Sequence, residues 1–262
     1  AAVFIYNTSG ETIMKQKMTK VEKSWILYDV ANSAFVLIMV TAVMPVFFKE
    51  IAASGMDRSQ STSIWGFSVS TAALLTAVLS PFMGSYADFR GRKMKLFTFF
   101  LITGVCGTLL LAMTGRSEWI WCCIIFVAAK MSWASTNVFY DSFITDVTEP
   151  ERMDMVSSAG YAWGYIGSVV PFVAVIIILL TSGTPPTVAS YRVSFIITGL
   201  WWLVFSIPML RNVRQVYFIE PGPRPLHESI EKLTATLKNI KQHRSAFIFL
   251  LAYFFYIDGV DT

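Results

Sequence analysis

The feature that most constrains this chain is a series of long apolar runs that a water-soluble domain could not bury. They cover residues 25–48, 62–87, 96–115, 119–140, 155–181 and 190–210, and a seventh, from Ser245, is still apolar at Thr262. About 20 apolar residues in a helix cross the roughly 30 Å of hydrocarbon in a bilayer, so six complete spans and the start of a seventh are expected. A composition of 55% apolar and 15% charged residues agrees with that and excludes an ordinary soluble domain. The expected fold class is therefore an all-α integral membrane protein, with a six-helix bundle over 25–210. The first run is too long for a secretory signal peptide, follows a polar, basic tail over 1–24, and lacks a small-residue cleavage site.

Loop charges set the expected orientation. Sixteen Lys or Arg fall in the N-terminal tail and the 2/3, 4/5 and 6/7 loops, against four on the other side, at Lys49, Arg58, Arg116 and Arg192. Short loops rich in Lys and Arg stay on the cytoplasmic side, so the N-terminus is expected there. The net charge of +4 is then a topology signal and implies no nucleic-acid partner. The linker over 211–244 opens with EPGPRP at 220–225, which cannot be helical. In it, Leu226, Ile230, Leu233, Leu237 and Ile240 recur at steps of four and three, predicting an amphipathic helix over 226–240 on the membrane surface or the bundle. A solvated linker helix is the alternative. Cys106, Cys122 and Cys123 all lie in spans and are expected to be buried small apolar residues; no cofactor or metal site is expected. Both ends are expected to be those of a fragment, with Met14 or Met18 the better start and Gly10 and Glu11 readable as translated ribosome-binding sequence, which would make the source bacterial.

Between spans 2 and 3 lies GSYADFRGRKMK, residues 84–95. Residues four apart share a helix face, so Gly84 would admit another helix where Asp88 reaches the membrane surface. Gly91 permits a tight turn, and Arg90, Arg92, Lys93 and Lys95 would hold it on the cytoplasmic side. Inside the spans, charged side chains cost about 2.5 to 3.5 kcal/mol each at a helix centre on translocon scales, which makes each a functional candidate. Span 1 carries Asp29 with Asn32, span 4 carries Lys130 with Asn137 and Asp141, and span 7 carries Asp258 and Asp261; spans 2, 3, 5 and 6 have none in their interiors. These charges either neutralise one another inside the bundle or serve a solute and a proton. Asp29-Val-Ala-Asn32-Ser33 and Asp258-Gly-Val-Asp261-Thr262 share one pattern, read either as chance or as two facing elements. On span 5, Ser157, Gly160, Gly164 and Gly167 share a face that another helix can approach closely. Pro45, Pro81, Pro171 and Pro208 are candidate kinks.

The 84–95 loop resembles the loop between helices 2 and 3 of the major facilitator superfamily. WILYDVANSAF at 25–35, GYAWGYIG at 160–167 and YIDGVDT at 256–262 are similar to its vacuole-effluxer-like family, and the resemblance covers about 25–262. It implies two six-helix halves joined by a cytoplasmic linker, a central cavity lined by helices 1, 4, 7 and 10, and a Gly84–Asp88 face that meets helix 11 of a second half absent from this chain. It implies a secondary transporter of a small polar solute, amino acids among the candidates, since fungal members are implicated in exporting them from the vacuole. Asp29, Asn32, Lys130, Asn137, Asp141, Asp258 and Asp261 would then line the cavity or couple transport to protons or another cation. A carboxylate that gains or loses an ammonium neighbour as two halves rock changes its proton affinity, and Lys130 would be that neighbour or hold a substrate anion. DSFITD at 141–146 departs from the family pattern and puts transfer of the fungal substrate in doubt. A bacterial cytoplasmic membrane is the expected location. The alternatives are a membrane sensor that has lost transport, or a transporter of sugars or drugs. An enzyme is not expected: there is no Ser/His/Asp set or phosphate-binding glycine loop, and His227 and His243 both lie in the linker.

Overall fold

The computed structural model of the chain describes residues 17–220 and, beyond them, Ile230, Glu231, Thr234, Ser245, Ile248, Phe249 and Ala252. Asp258 and Asp261, most of the amphipathic stretch 226–240 and most of the seventh run lie outside the described residues. Among the described residues, six helices are long and apolar enough to cross a membrane: α1 (Lys20–Ala52), α2 (Arg58–Ala87), α3 (Lys93–Leu111), α4 (Trp119–Ser142), α5 (Met153–Thr181) and α6 (Val188–Asn212). Each corresponds to one of the six apolar runs, and no strand occurs among the described residues.

The helices differ from the apolar runs by a few residues at their ends, and α1 begins at Lys20, inside the stretch expected as the tail over 1–24. Thr19 caps the helix: its hydroxyl accepts from the Glu22 amide at 3.1 Å, and the Glu22 carboxylate accepts from the Thr19 amide at 2.7 Å. This reciprocal box satisfies two amides that a helix start otherwise leaves unpaired. Farther along α1 the register widens to a π-helix over Val36–Val43 and again over Phe48–Ala52. Pro45, between the two, has no N–H to donate to the preceding turn, and such widened turns are frequent at functional sites.

Helix α1 is the axis of the bundle, packed on α5 along one side and α6 along another, while α3 packs on α4 and α6, and α2 mainly on α4. Fully buried Phe35 and Phe47 meet Trp202 and Phe195 of α6, the second pair edge to face with centroids 5.0 Å apart. By contrast α2 leaves Phe67, Leu74 and Val78 exposed, and α5 leaves Trp163, Ile166 and Val170 exposed. Those faces are apolar enough for lipid or another helical layer.

The glycines of α5 let it lie directly on α1. A Cβ at Gly160 would stand 3.0 Å from the Trp25 ring, one at Gly164 would stand 2.9 Å from Ser33 Oγ, and one at Gly167 would stand 2.4 Å from Val30 Cγ1. The last cannot be accommodated without moving a helix. Gly167→Ala is accordingly expected to destabilise by about 1–3 kcal/mol through overpacking. Thermal unfolding of the full-length protein in detergent checks this, with Gly66→Ala, which would meet nothing within 4 Å, remaining near wild type.

Candidate functional site

A cavity of about 640 Å³ opens between α1, α4 and α5. From α1 it is lined by Trp25, Asp29, Asn32 and Thr41, from α4 by Trp133, Asn137, Tyr140 and Asp141, and from α5 by Ser157, Tyr161, Tyr165 and Ser168. Asp29 to Thr41 is twelve residues, about 18 Å of helix rise, so the cavity follows α1 through much of the apolar layer. Tyr161 and Tyr165, 63% and 73% exposed, mark its open side.

Its polar wall is organised by one rigid contact. The Trp133 indole N–H donates to Asn32 Oδ1 at 2.8 Å, and the Asn32 amide donates to Asp29 Oδ1 at 3.2 Å. An indole N–H can only donate, so it orients the Asn32 amide with its NH₂ toward the carboxylate. Asn32 is 6% exposed, and Asp29 is half-buried beside it. On the far side Asp29 faces the α5 glycines: the points where Cβ atoms would stand on Gly160 and Gly164 lie 3.3 Å from Asp29 Oδ2 and 3.1 Å from Asp29 Cγ. Tyr140, stacked on Trp25 with centroids 4.2 Å apart, contributes a hydroxyl within 3.2 Å of the Gly160 point.

Asp29, Asn32, Asn137 and Asp141 thus come together on one cavity, and Ser157 joins them. Lys130 does not. It lines a separate pocket of about 300 Å³ between α2 and α4, with Ala72, Ala73, Thr76, Ala77 and Ala134. Its ammonium stands 5.9 Å over the Trp133 ring, and Trp133 in turn bonds Asn32 beside Asp29.

The basic loop sits at the end of the bundle that also holds the start of α1. Gly91 has φ of +68°, the left-handed conformation a glycine adopts without strain. Gly84 has nothing within 4 Å of where a Cβ would stand, and Asp88, Arg90 and Lys95 are exposed. Arg92 lies over the Tyr86 ring at 5.2 Å. Lys93 differs from its neighbours: it is 5% exposed and donates to Asp146 Oδ2 at 2.8 Å and to the Ser142 carbonyl at 3.1 Å. The other oxygen of Asp146 accepts the Val216 and Tyr217 amides, both at 2.8 Å. The chain leaving α6 is pinned again where Phe89 and Ile219 form a parallel bridge, with Arg90 N donating to Ile219 O at 3.0 Å and Ile219 N to Asp88 O at 2.8 Å.

A second buried pair closes the same end. Glu22, 1% exposed, accepts Arg152 Nε at 2.8 Å and Nη2 at 2.9 Å, and Thr148 Oγ1 at 2.7 Å. Neither cluster follows from the sequence, where Arg152 is the one Lys or Arg of the 4/5 loop. The Thr19-x-x-Glu22 spacing was the available signal for Glu22; nothing local marked its partner. No group of three or more His, Cys, Asp or Glu able to hold a metal occurs among the described residues.

Six helices among the described residues long and apolar enough to cross a membrane, with a carboxylate-lined cavity between three of them, are those of a polytopic membrane protein of the major facilitator type. The family model described as vacuole effluxer Atg22 like matches residues 18–151 and 145–262, and the chain belongs to that family. The uncharacterized MFS-type transporter YxiO of Bacillus subtilis (strain 168) is 42% identical over 254 residues, which are 95% of this chain and 59% of YxiO. Autophagy-related protein 22-1 of Penicillium rubens is 34% identical over 41% of this chain and 19% of its own length. Autophagy-related protein 22 of Coccidioides immitis is 30% identical over 51% of this chain and 26% of its own. The chain therefore spans less than two thirds of the length of each of these relatives.

Proposed function

We propose that the full-length protein is a secondary transporter that moves a small polar solute by alternating access, with the cavity between α1, α4 and α5 as one wall of the solute path. The observation that carries the reading is the convergence of Asp29, Asn32, Asn137 and Asp141 on that cavity. Charges within the apolar layer are costly and tend to mark ion or solute pathways. The effluxer description of the family and the MFS-type relative support transport in general, and amino acids are the first solutes to test. Asp29 and Asp141 are the carboxylates that would exchange a proton or another cation during the cycle, with Asp258 and Asp261 as their counterparts in the second half. Lys130 acts at a distance, through Trp133 and Asn32.

The loop over 84–95, with Gly84, Asp88, Gly91, Arg92, Lys93 and Lys95, is the cytoplasmic gate of this reading, and the N-terminus lies on the cytoplasmic side of a bacterial cell membrane. The open space at Gly84 supports a helix of the second half seating there. The α5 face of Ser157, Gly160, Gly164 and Gly167 packs the bundle. In proteoliposomes of the full-length protein, preloaded amino acids are expected to drive counterflow of labelled ones. Vesicles with neither uptake nor counterflow of any amino acid would exclude the amino-acid version.

A further inference from the structure

We infer that the cavity selects solutes carrying an ammonium group, and takes an organic amine in preference to a zwitterion or an anion. The inference rests on the transport reading for its setting and on the cavity wall for its chemistry. Asp29 and Asp141 line the wall, and no Lys, Arg or His lines it among the described residues. A cleft of one charge sign bounded by low-dielectric walls concentrates ligands of the opposite sign.

Two further groups on the cavity are left to be paired, independently of those charges. Tyr140, 4% exposed and lining the cavity, has a hydroxyl with no hydrogen-bond partner among the described residues. Asn137 Oδ1, also on the cavity, is buried and likewise without one. A buried polar atom left unpaired costs roughly 1–3 kcal/mol; Asn137 Oδ1 is recovered only by a group that donates, and the Tyr140 hydroxyl can accept from a donor as well. An ammonium offers three N–H donors and no acceptor. A carboxylate on the solute finds no cationic partner on this wall, and bringing it in would place like charges together.

Three probes with one aromatic skeleton and different charge separate these cases: tyramine, tyrosine and 3-(4-hydroxyphenyl)propionate. Calorimetry on purified full-length protein is expected to rank them in that order. Asp29→Asn and Asp141→Asn should each weaken tyramine about tenfold or more, the scale of one lost hydrogen bond to a charged group. Tyr140→Phe should weaken it less. The ranking on wild-type protein needs no variant to fold. Tightest binding of the anion or the zwitterion, no binding of any probe, or tyramine binding indifferent to both Asn substitutions overturns the inference. Flux of other solutes by a protein that ignores tyramine overturns it and spares the transport reading. Tyramine binding without flux of any solute does the reverse.

Discussion

Replacing Lys93 with Met is expected to destabilise the full-length protein by about 3–5 kcal/mol, the cost of leaving one member of a buried ion pair uncompensated. Lys93 stands at the first turn of α3, where the helix dipole disfavours a cation. What holds it there is Asp146, whose side chain is 0% exposed against 6% for Lys93. The carboxylate is shared between the Lys93 ammonium and the amides of Val216 and Tyr217. Removing the ammonium leaves a buried charge held by two amides; Asp146→Asn leaves the ammonium stranded instead. The double substitution should recover much of either loss, because it removes both charges at once. Detergent melting curves of the two single variants and the double variant measure this coupling. Single variants that melt with the wild type would mean the pair adds nothing. The exposed Arg90–Glu220 pair, 65% and 66% exposed, is the contrast: Arg90→Ala should stay within about 1 kcal/mol of wild type.

The second large effect is on flux. Asp29 is the carboxylate at which the site's constraints meet: Asn32 orients it, Trp133 fixes Asn32, and Gly160 and Gly164 bring α5 against it. Asp29→Asn keeps the shape and an acceptor while removing the charge. If that charge holds the solute or its coupled cation, flux at solute concentrations below half-saturation should fall about tenfold or more. Asp141→Asn should act in the same direction, being on the same cavity. Both variants should melt near wild type, because neither aspartate belongs to the buried pairs that close the basic end.

The spans were legible in the sequence because hydropathy over twenty residues is a local property that the bilayer enforces. The Gly91 turn was legible for a similar reason: few residues other than glycine take a positive φ there. The start of α1 was missed because Thr19 and Glu22 sit in a lysine-rich tail that masks a local cap. Lys93 and Arg152 read as ordinary loop cations because their partners, Asp146 and Glu22, lie 53 and 130 residues away. Within the site, the membrane-embedded polar residues could be named one by one, but which of them share a cavity could not. Lys130 and Asp141 are eleven residues apart, close to three full turns, and so fall on one face of α4. At the depth of Lys130 that face is covered by α2, and at the depth of Asp141 it opens on the cavity. Helical period specifies direction around an axis, whereas the neighbour met at each depth is set by tertiary packing.

In the proposed transporter the cavity between α1, α4 and α5 carries the solute and Asp29 engages it. Counterflow in proteoliposomes tests that role most directly, with wild-type and Asp29→Asn full-length protein reconstituted at equal amounts and assayed below half-saturation. The wild type is expected to exchange solute and the variant to lose about tenfold or more of that rate. Exchange by Asp29→Asn at the wild-type rate would contradict that role.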